Sequence, residues 1–204
     1  IFYFPKFSWV LEGRGSGFLP LEVDSYTDPS KKNDDSYTRS YRRKIPYYFN
    51  LAPDRDLIIT DTYMTTRGGM IESKYRQLID RKIIEGEIKD STFEIESQYN
   101  ASDDITKLKR WLVNTSTELD LGDKTHISAI YNRVSDANYF KEISHTDTDL
   151  ERLLSHFDIT YKDQENHFNI GLLTEDEQIV NSGASKYTRA FETSLSKTFN
   201  ADGS

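Results

Sequence analysis

The chain has 204 residues, 26 of them Lys or Arg and 34 Asp or Glu, for a formal net charge of −8. That length bounds it to one or two domains, and the negative balance excludes a general nucleic-acid binder, which carries a basic patch. The absence of Cys excludes an internal disulfide framework and a thiolate metal site, whereas 13 Tyr, 11 Phe and 2 Trp at a mean hydropathy of −0.70 argue against disorder and for sheets with one apolar and one wet face.

The opening residues, Ile1-Phe2-Tyr3-Phe4-Pro5-Lys6-Phe7-Ser8-Trp9, are densely aromatic, like the inner face of a soluble sheet. Gly13-Arg14-Gly15-Ser16-Gly17 follows as a flexible joint. A domain boundary is expected there, with 1–12 ending one domain, 13–17 as linker and 18–204 as a second. No helical pattern follows these glycines, so they do not form a dinucleotide fingerprint. From Gly17 onward the hydrophobic period is 2. Pro20 falls inside the first predicted strand, and Asp28 to Asp35 reads as a long polar loop. Tyr41, Arg43, Ile45, Tyr47, Phe49 and Leu51 then share one face of a strand that contains Pro46. Ala52 to Arg55 makes a turn, Leu57 to Thr66 a strand, and Arg67-Gly68-Gly69 a turn into Met70 to Ile79. Phe93 and Ile95 mark another strand, and Asn100 to Lys107 a second long loop.

Trp111, Val113 and Thr115 define the next strand, Leu121 to Lys124 a tight turn, and Ile127, Ala129 and Tyr131 the strand after it. Ser135 to Asp149 is a third long loop. Asp149 to His156 could be helical, but its continuation as Phe157, Ile159 and Tyr161 favours a strand. Asp163 to Asn166 turns into Phe168, Ile170 and Leu172. Glu175 to Ser185 is a fourth long loop, and Tyr187, Phe191, Leu195 and Phe199 mark the last strand. The total is about ten strands, with tight turns alternating with long charged loops, as in an outer-membrane barrel. No apolar run approaches the roughly 18 residues of a membrane-spanning helix.

No catalytic constellation accompanies this pattern. There is no Gly-x-Ser-x-Gly elbow and no nucleophile beside a base. His126, His145, His156 and His167 show no convergent ligand spacing, and Asp147 to Glu151 lacks the Gly and the bidentate Glu of a calcium loop. Neither a metal nor a cofactor is expected. Pro20 and Pro46 are informative because proline offers no N–H to a ladder. Two consecutive strands each carrying one read as a kinked, weakened seam, or else as two ordinary bulges or strand starts.

Gly17-Phe18-Leu19-Pro20, then Pro46-Tyr47-Tyr48-Phe49-Asn50-Leu51-Ala52-Pro53-Asp54, Asp56 to Thr60, Tyr63-Met64 and Arg67-Gly68 resemble the start of the barrel in the LptD family of outer-membrane LPS-assembly proteins, also called the OstA or organic solvent tolerance family. Tyr131 to Phe140 is similar to that family's Val-Ser-Asp-x-x-Tyr-Phe segment, and Phe2-Tyr3-Phe4-Pro5 resembles the final strand of its periplasmic jelly roll. The resemblance implies an all-β fold: an antiparallel up-and-down transmembrane β-barrel segment, preceded by the last strand of a periplasmic β-jelly roll. It implies a non-enzymatic role in the cell outer membrane, inserting lipopolysaccharide (LPS) into the outer leaflet through a polar lumen and a lateral gate. The implied partners are LPS, an LptE-type lipoprotein plug and an LptA-type periplasmic bridge protein, with no nucleic acid. Pro20 and Pro46 match the gate prolines, and Ser16, Gly17 and Phe18 the jelly-roll/barrel junction. The chain is expected to be a piece of a longer protein. Two other readings stand beside this one: a porin-like outer-membrane channel of another kind, or a soluble extracellular β-sandwich binding module with its apolar face turned inward.

Overall fold

The computed structural model describes residues 15–33, 36–84, 87–144, 151–163, 165, 167–180 and 188–197. Within them the chain forms one antiparallel sheet of eleven strands: β1 (Gly17–Phe18), β2 (Glu22–Asn33), β3 (Ser36–Ala52), β4 (Arg55–Met64), β5 (Gly68–Ile84), β6 (Glu87–Asn100), β7 (Arg110–Leu121), β8 (Thr125–Val134), β9 (Arg152–Asp163), β10 (Phe168–Ile179) and β11 (Thr188–Lys197). Each strand from β3 to β11 pairs with the next in sequence, and β1 and β2 both pair with β3. β1 and β2 are therefore two pieces of one edge strand, and β11 is the opposite edge. The sheet is an open, up-and-down barrel segment.

Alternation along each strand and register between strands together create two faces. On β3, Tyr41, Ile45, Tyr47 and Phe49 point one way and Arg42, Lys44, Tyr48 and Asn50 the other. The pairing Tyr47↔Ile59, Ile71↔Tyr99, Tyr99↔Trp111 and Ala129↔Phe157 carries the apolar set across the sheet. Its members are exposed: Tyr41, Leu51, Tyr63, Ile71, Tyr99, Leu121 and Tyr131 all show large fractions of their surface. The opposite face is polar and internally paired. Lys44 Nζ lies 3.0 Å from Glu72 Oε1 and Lys74 Nζ 2.6 Å from Glu96 Oε1. Gln98 Nε2 donates to Glu72 Oε2 at 3.1 Å, and the Ser128 hydroxyl to Glu118 at 2.8 Å. A sandwich would bury its apolar face against a second sheet; here that face is left open.

Apolar burial is confined to one end of the polar face. Met64, Met70, Leu112, Val134, Tyr139, Ile143, Leu153 and Val180 form the buried cluster. It exists because the segment after β8 folds over the sheet, with a π-helical turn at Phe140–Ser144. Tyr139 is fully buried there and its hydroxyl donates to Gln98 Oε1 at 2.7 Å. The β8–β9 ladder stops at Ile130↔His156. Beyond it Asn132 Nδ2 donates to the Leu154 carbonyl and Gln178 Nε2 to that of Val134, replacing ladder bonds with side-chain bonds.

Several expectations change. Asp28 to Asn33 is strand, not loop, because the β2–β3 ladder resumes at Lys32↔Tyr37 after an irregularity. Glu175 to Ile179 is strand too, paired with His156 to Arg152. Asp28 to Asn33 and Glu175 to Gln178 contain no alternating apolar residues, so hydropathy carries no period there, while backbone pairing still holds them. Asp149 to His156 is not helical; β9 begins at Arg152, and the helical turn lies earlier, in the expected loop. Pro20 lies not inside a strand but in the break between β1 and β2. His167 sits in the β9–β10 turn with φ +50. Residues 1–12, and with them the aromatic segment Phe2 to Pro5, fall outside the described residues, as do Asp147 to Asp149 and the ends of the last strand at Tyr187 and Phe199.

Candidate functional site

Ser16, Gly17, Phe18, Pro20 and Pro46 come together on one short stretch of the β1–β3 ladder. The Ser16 hydroxyl accepts the Asn50 N–H at 2.9 Å. Gly17 pairs with Tyr48 and Phe18 with Tyr47, whose ring meets that of Phe18 edge-on at 4.9 Å. The Leu19 N–H donates to the Pro46 carbonyl at 2.9 Å. Pairing then lapses and resumes at Glu22↔Lys44. Leu19-Pro20-Leu21 thus opposes Ile45-Pro46, three residues against two, the count of a β-bulge.

The prolines decide how well this stretch is stitched. A strand residue presents N–H and C=O to the same side. The Pro46 carbonyl faces β1, so its nitrogen does too, and that level of the ladder has one bond where two would form. Pro20 supplies no donor either. Toward β4, Pro46 stands opposite Thr60 in a pair that asks nothing of its nitrogen. That is why a proline is tolerated within a paired strand here. Phe18 remains 75% exposed beside the break.

At the other end of β2 lies a group of residues that the sequence reading missed. Arg67, in the β4–β5 turn, is fully buried. Its Nε lies 2.7 Å from Asp28 Oδ2 and its Nη2 donates to Asp28 Oδ1 at 2.8 Å, a two-pronged pair. Nη1 reaches Asp103 Oδ2 at 2.9 Å and Glu142 Oε2 at 3.1 Å. Glu142 also takes Arg110 Nη1 at 3.0 Å, and Arg110 Nε lies 2.7 Å from Asp136 Oδ2. The Tyr26 and Thr66 hydroxyls bond at 2.8 Å, and Thr66 donates to Asp28 at 3.1 Å. Asn100 Nδ2 donates to the Arg67 carbonyl at 2.9 Å. β2, the β4–β5 turn, the 101–109 loop and the 135–144 segment are thereby joined.

Electrostatics follow from burial. Desolvation works against the Arg67 cation, but the hydrogen bonds it donates to Asp28 and Asp103 hold its pKa above the ordinary arginine value. Burial would raise the Asp103 carboxyl; the Thr106 N–H, the Arg67 guanidinium and the Ile105 N–H outweigh it and keep the group below its usual range. Burial, then the charge of Glu72, pushes the Tyr139 phenol up. Arg67-Gly68 and Val134 to Phe140 were visible as motif pieces, but nothing in spacing joins residues 28, 67, 103 and 142. Among the described residues no His, Asp or Glu group could hold a metal ion.

The comparisons with known proteins agree with this architecture. A family profile described as LPS transport system D matches residues 108–201. The LPS-assembly protein LptD of Pseudoalteromonas atlantica is 30% identical over 187 residues, covering 88% of this chain and 22% of that protein. LptD of Idiomarina loihiensis is 28% identical over 195 residues, 92% of this chain and 23% of its own length. LptD of Pseudomonas aeruginosa strain LESB58 is 29% identical over 151 residues, 74% of this chain and 15% of its own. The chain therefore spans less than a quarter of these relatives. Profile, relatives and an open strand-after-strand sheet together make this chain a segment of an LptD-family protein.

Proposed function

We propose that this segment is the gate-side wall of an outer-membrane barrel that carries LPS to the outer leaflet. The polar face lines the lumen and the apolar face meets lipid. The reading is carried by one observation: apolar side chains are exposed on one face while Lys44, Glu72, Lys74 and Glu96 pair on the other, the inverse of a soluble sandwich. Height supports it. The ten residues of β4, tilted by about 40°, rise about 26 Å, close to the ~25 Å apolar band of such barrels.

On this reading the edge strand β1–β2 is the first-strand side of a lateral gate between the first and last strands of the barrel. Pro20 and Pro46 remove donors and kink this edge, so it pairs poorly with the last strand of the barrel and the two part when the glycolipid passes from lumen to bilayer. Ser16, Gly17 and Phe18 form the junction to a periplasmic jelly roll ending at residues 1–12, with 13–17 as linker. No bond is made or broken, so no catalytic group is needed. An LptE-type plug would occupy the lumen and an LptA-type bridge would deliver LPS to the jelly roll. A porin-like channel of another kind fits less well, since it has no use for a broken edge strand.

A photo-crosslinking residue at Phe18 in the full-length protein, in living cells, tests the gate. An LPS adduct is expected at Phe18 and none at Leu119, on the same face but distant from the edge strand. Active export with no adduct at Phe18 would remove the gate assignment.

A further inference from the structure

The apolar face of the sheet carries an ion pair. Along the row of directly opposed residues Ile45↔Asp61↔Ile71↔Tyr99↔Trp111, Asp61 alone is charged. Its partner is Arg43, whose Nη2 donates to Asp61 Oδ2 at 3.1 Å. Both side chains are about half exposed. Arg43 stands opposite Val23 of the edge strand on one side and Tyr63 of β4 on the other. A charge on a lipid-facing surface is destabilising according to its depth, so the level of Arg43 matters. Gly17 and Phe18, at the periplasmic junction, pair with Tyr48 and Tyr47; Leu51 therefore marks the periplasmic end of β3 on this face and Tyr41 the outer end. Between them a strand tilted by about 40° rises about 26 Å. Arg43 lies about 5 Å inside the Tyr41 limit, where headgroup phosphates meet acyl chains. Arg39, exposed on the same face, lies about 5 Å outside it.

We propose that Arg43, with Arg39 above it, is a binding site for the phosphates of the glycolipid headgroup on the outer surface of the barrel, one strand from the edge where the lipid emerges. The proposal rests on the reading of this face as lipid-facing, and it adds a first station for the exported lipid. A guanidinium has five N–H donors, and Asp61 engages one of those on Arg43; the others have no partner among the described residues. Asp61 thus neutralises the cation and leaves most of its donors open to a phosphate, which a guanidinium meets with two parallel bonds. Tyr41 and Tyr63 fix the headgroup level, while Val23 and Ile45 offer acyl chains a surface that a soluble anion would not need. Arg39 and Arg43 are about 14 Å apart along the strand, so flexible side chains reach two phosphates on one saccharide headgroup.

The test places a photo-crosslinking residue at Tyr63 in the full-length protein, assembled with its partners in phosphatidylcholine vesicles. The vesicles contain radiolabelled lipid A, either diphosphorylated or dephosphorylated and with the same acyl chains. The diphosphorylated lipid should give an adduct about fivefold more abundant. Arg39→Gln with Arg43→Gln should lower it to the level of the dephosphorylated lipid. Asp61→Asn, which removes the competing carboxylate, should raise it about twofold. Excess inorganic phosphate should leave the preference unchanged; its loss would make this a site for soluble anions and overturn the lipid assignment. Equal yields from the two lipids, or a preference that survives loss of both arginines, overturn the site while leaving the lipid-facing wall intact. No adduct from either lipid overturns the wall reading and this inference together. The two lipids are compared on the parent arginines, so the comparison decides the matter even if the substituted proteins do not assemble.

Discussion

Arg67 shows what a single residue can carry in a sheet with little apolar core. A guanidinium removed from water is tolerated only when its donors are matched, and Asp28, Asp103 and Glu142 match them. Removing it leaves buried carboxylates uncompensated. Arg67→Ala should cost about 3–5 kcal/mol, read as a lower urea midpoint of the folded protein in detergent. Arg67→Lys should lose part of this, because an ammonium cannot make the two-pronged contact with Asp28. Asp103 gives the cluster a pH dependence. Its folded pKa lies below the ordinary carboxylate value, so its contribution is complete above about pH 4 and disappears as pH falls through the lowered folded value. Thermal unfolding followed from pH 7 downward should show that loss in the parent and not in Asp103→Asn. Gly68 beside Arg67 has φ +80, and an added Cβ would meet Asp104 Oδ2 at 2.8 Å. Gly68→Ala should therefore destabilise the turn by about 1–2 kcal/mol, measurable by the same urea titration.

At the scale of elements, strand stretches with one apolar face were legible and those without one were not. β3, β4, β7 and β8 alternate between apolar and polar residues, and their turns at Pro53-Asp54 and Gly122 lie where the sequence placed them. Asp28 to Asn33 and Glu175 to Gln178 carry no alternating apolar residue. There only the backbone ladder records the strand, and composition suggested loops. The Phe140–Ser144 turn was hidden for a different reason: it is held by Tyr139 to Gln98 and Ile143 to the buried cluster, contacts between distant positions. The prolines were legible as donors missing from a ladder, but not which neighbour would lose the bond; that required the register. Pro46→Thr restores an N–H aimed at β1 and should add one ladder bond, about 1 kcal/mol. The edge strand should exchange its amide hydrogens more slowly and export should fall in parallel. Unchanged exchange at Phe18 and Leu19 would mean that the nitrogen of residue 46 does not face the seam.

For the whole molecule the decisive quantity is the pair of open edges. β1 with β2 on one side and β11 on the other present rows of backbone groups with no strand beyond them among the described residues. Along the ten residues of β11, about half the N–H and C=O groups face outward. Each left unpaired in hydrocarbon costs several kcal/mol, so one edge alone outweighs the 5–15 kcal/mol by which folded domains are typically stable. Water relieves the edges but not the apolar face, where Leu51, Tyr63, Ile71, Tyr99, Leu121 and Leu195 lie exposed. Neither solvent suits the segment by itself, and only strands supplied by the rest of the barrel satisfy both requirements. Expressed without the remainder of the protein and mixed with lipid vesicles, residues 15–197 should stay protease-sensitive and assemble edge to edge. The intact protein in the same vesicles should protect these strands from protease. Protection of the isolated segment as a monomer would mean that its two edges close on each other, and the wall described above would then be a small barrel of its own.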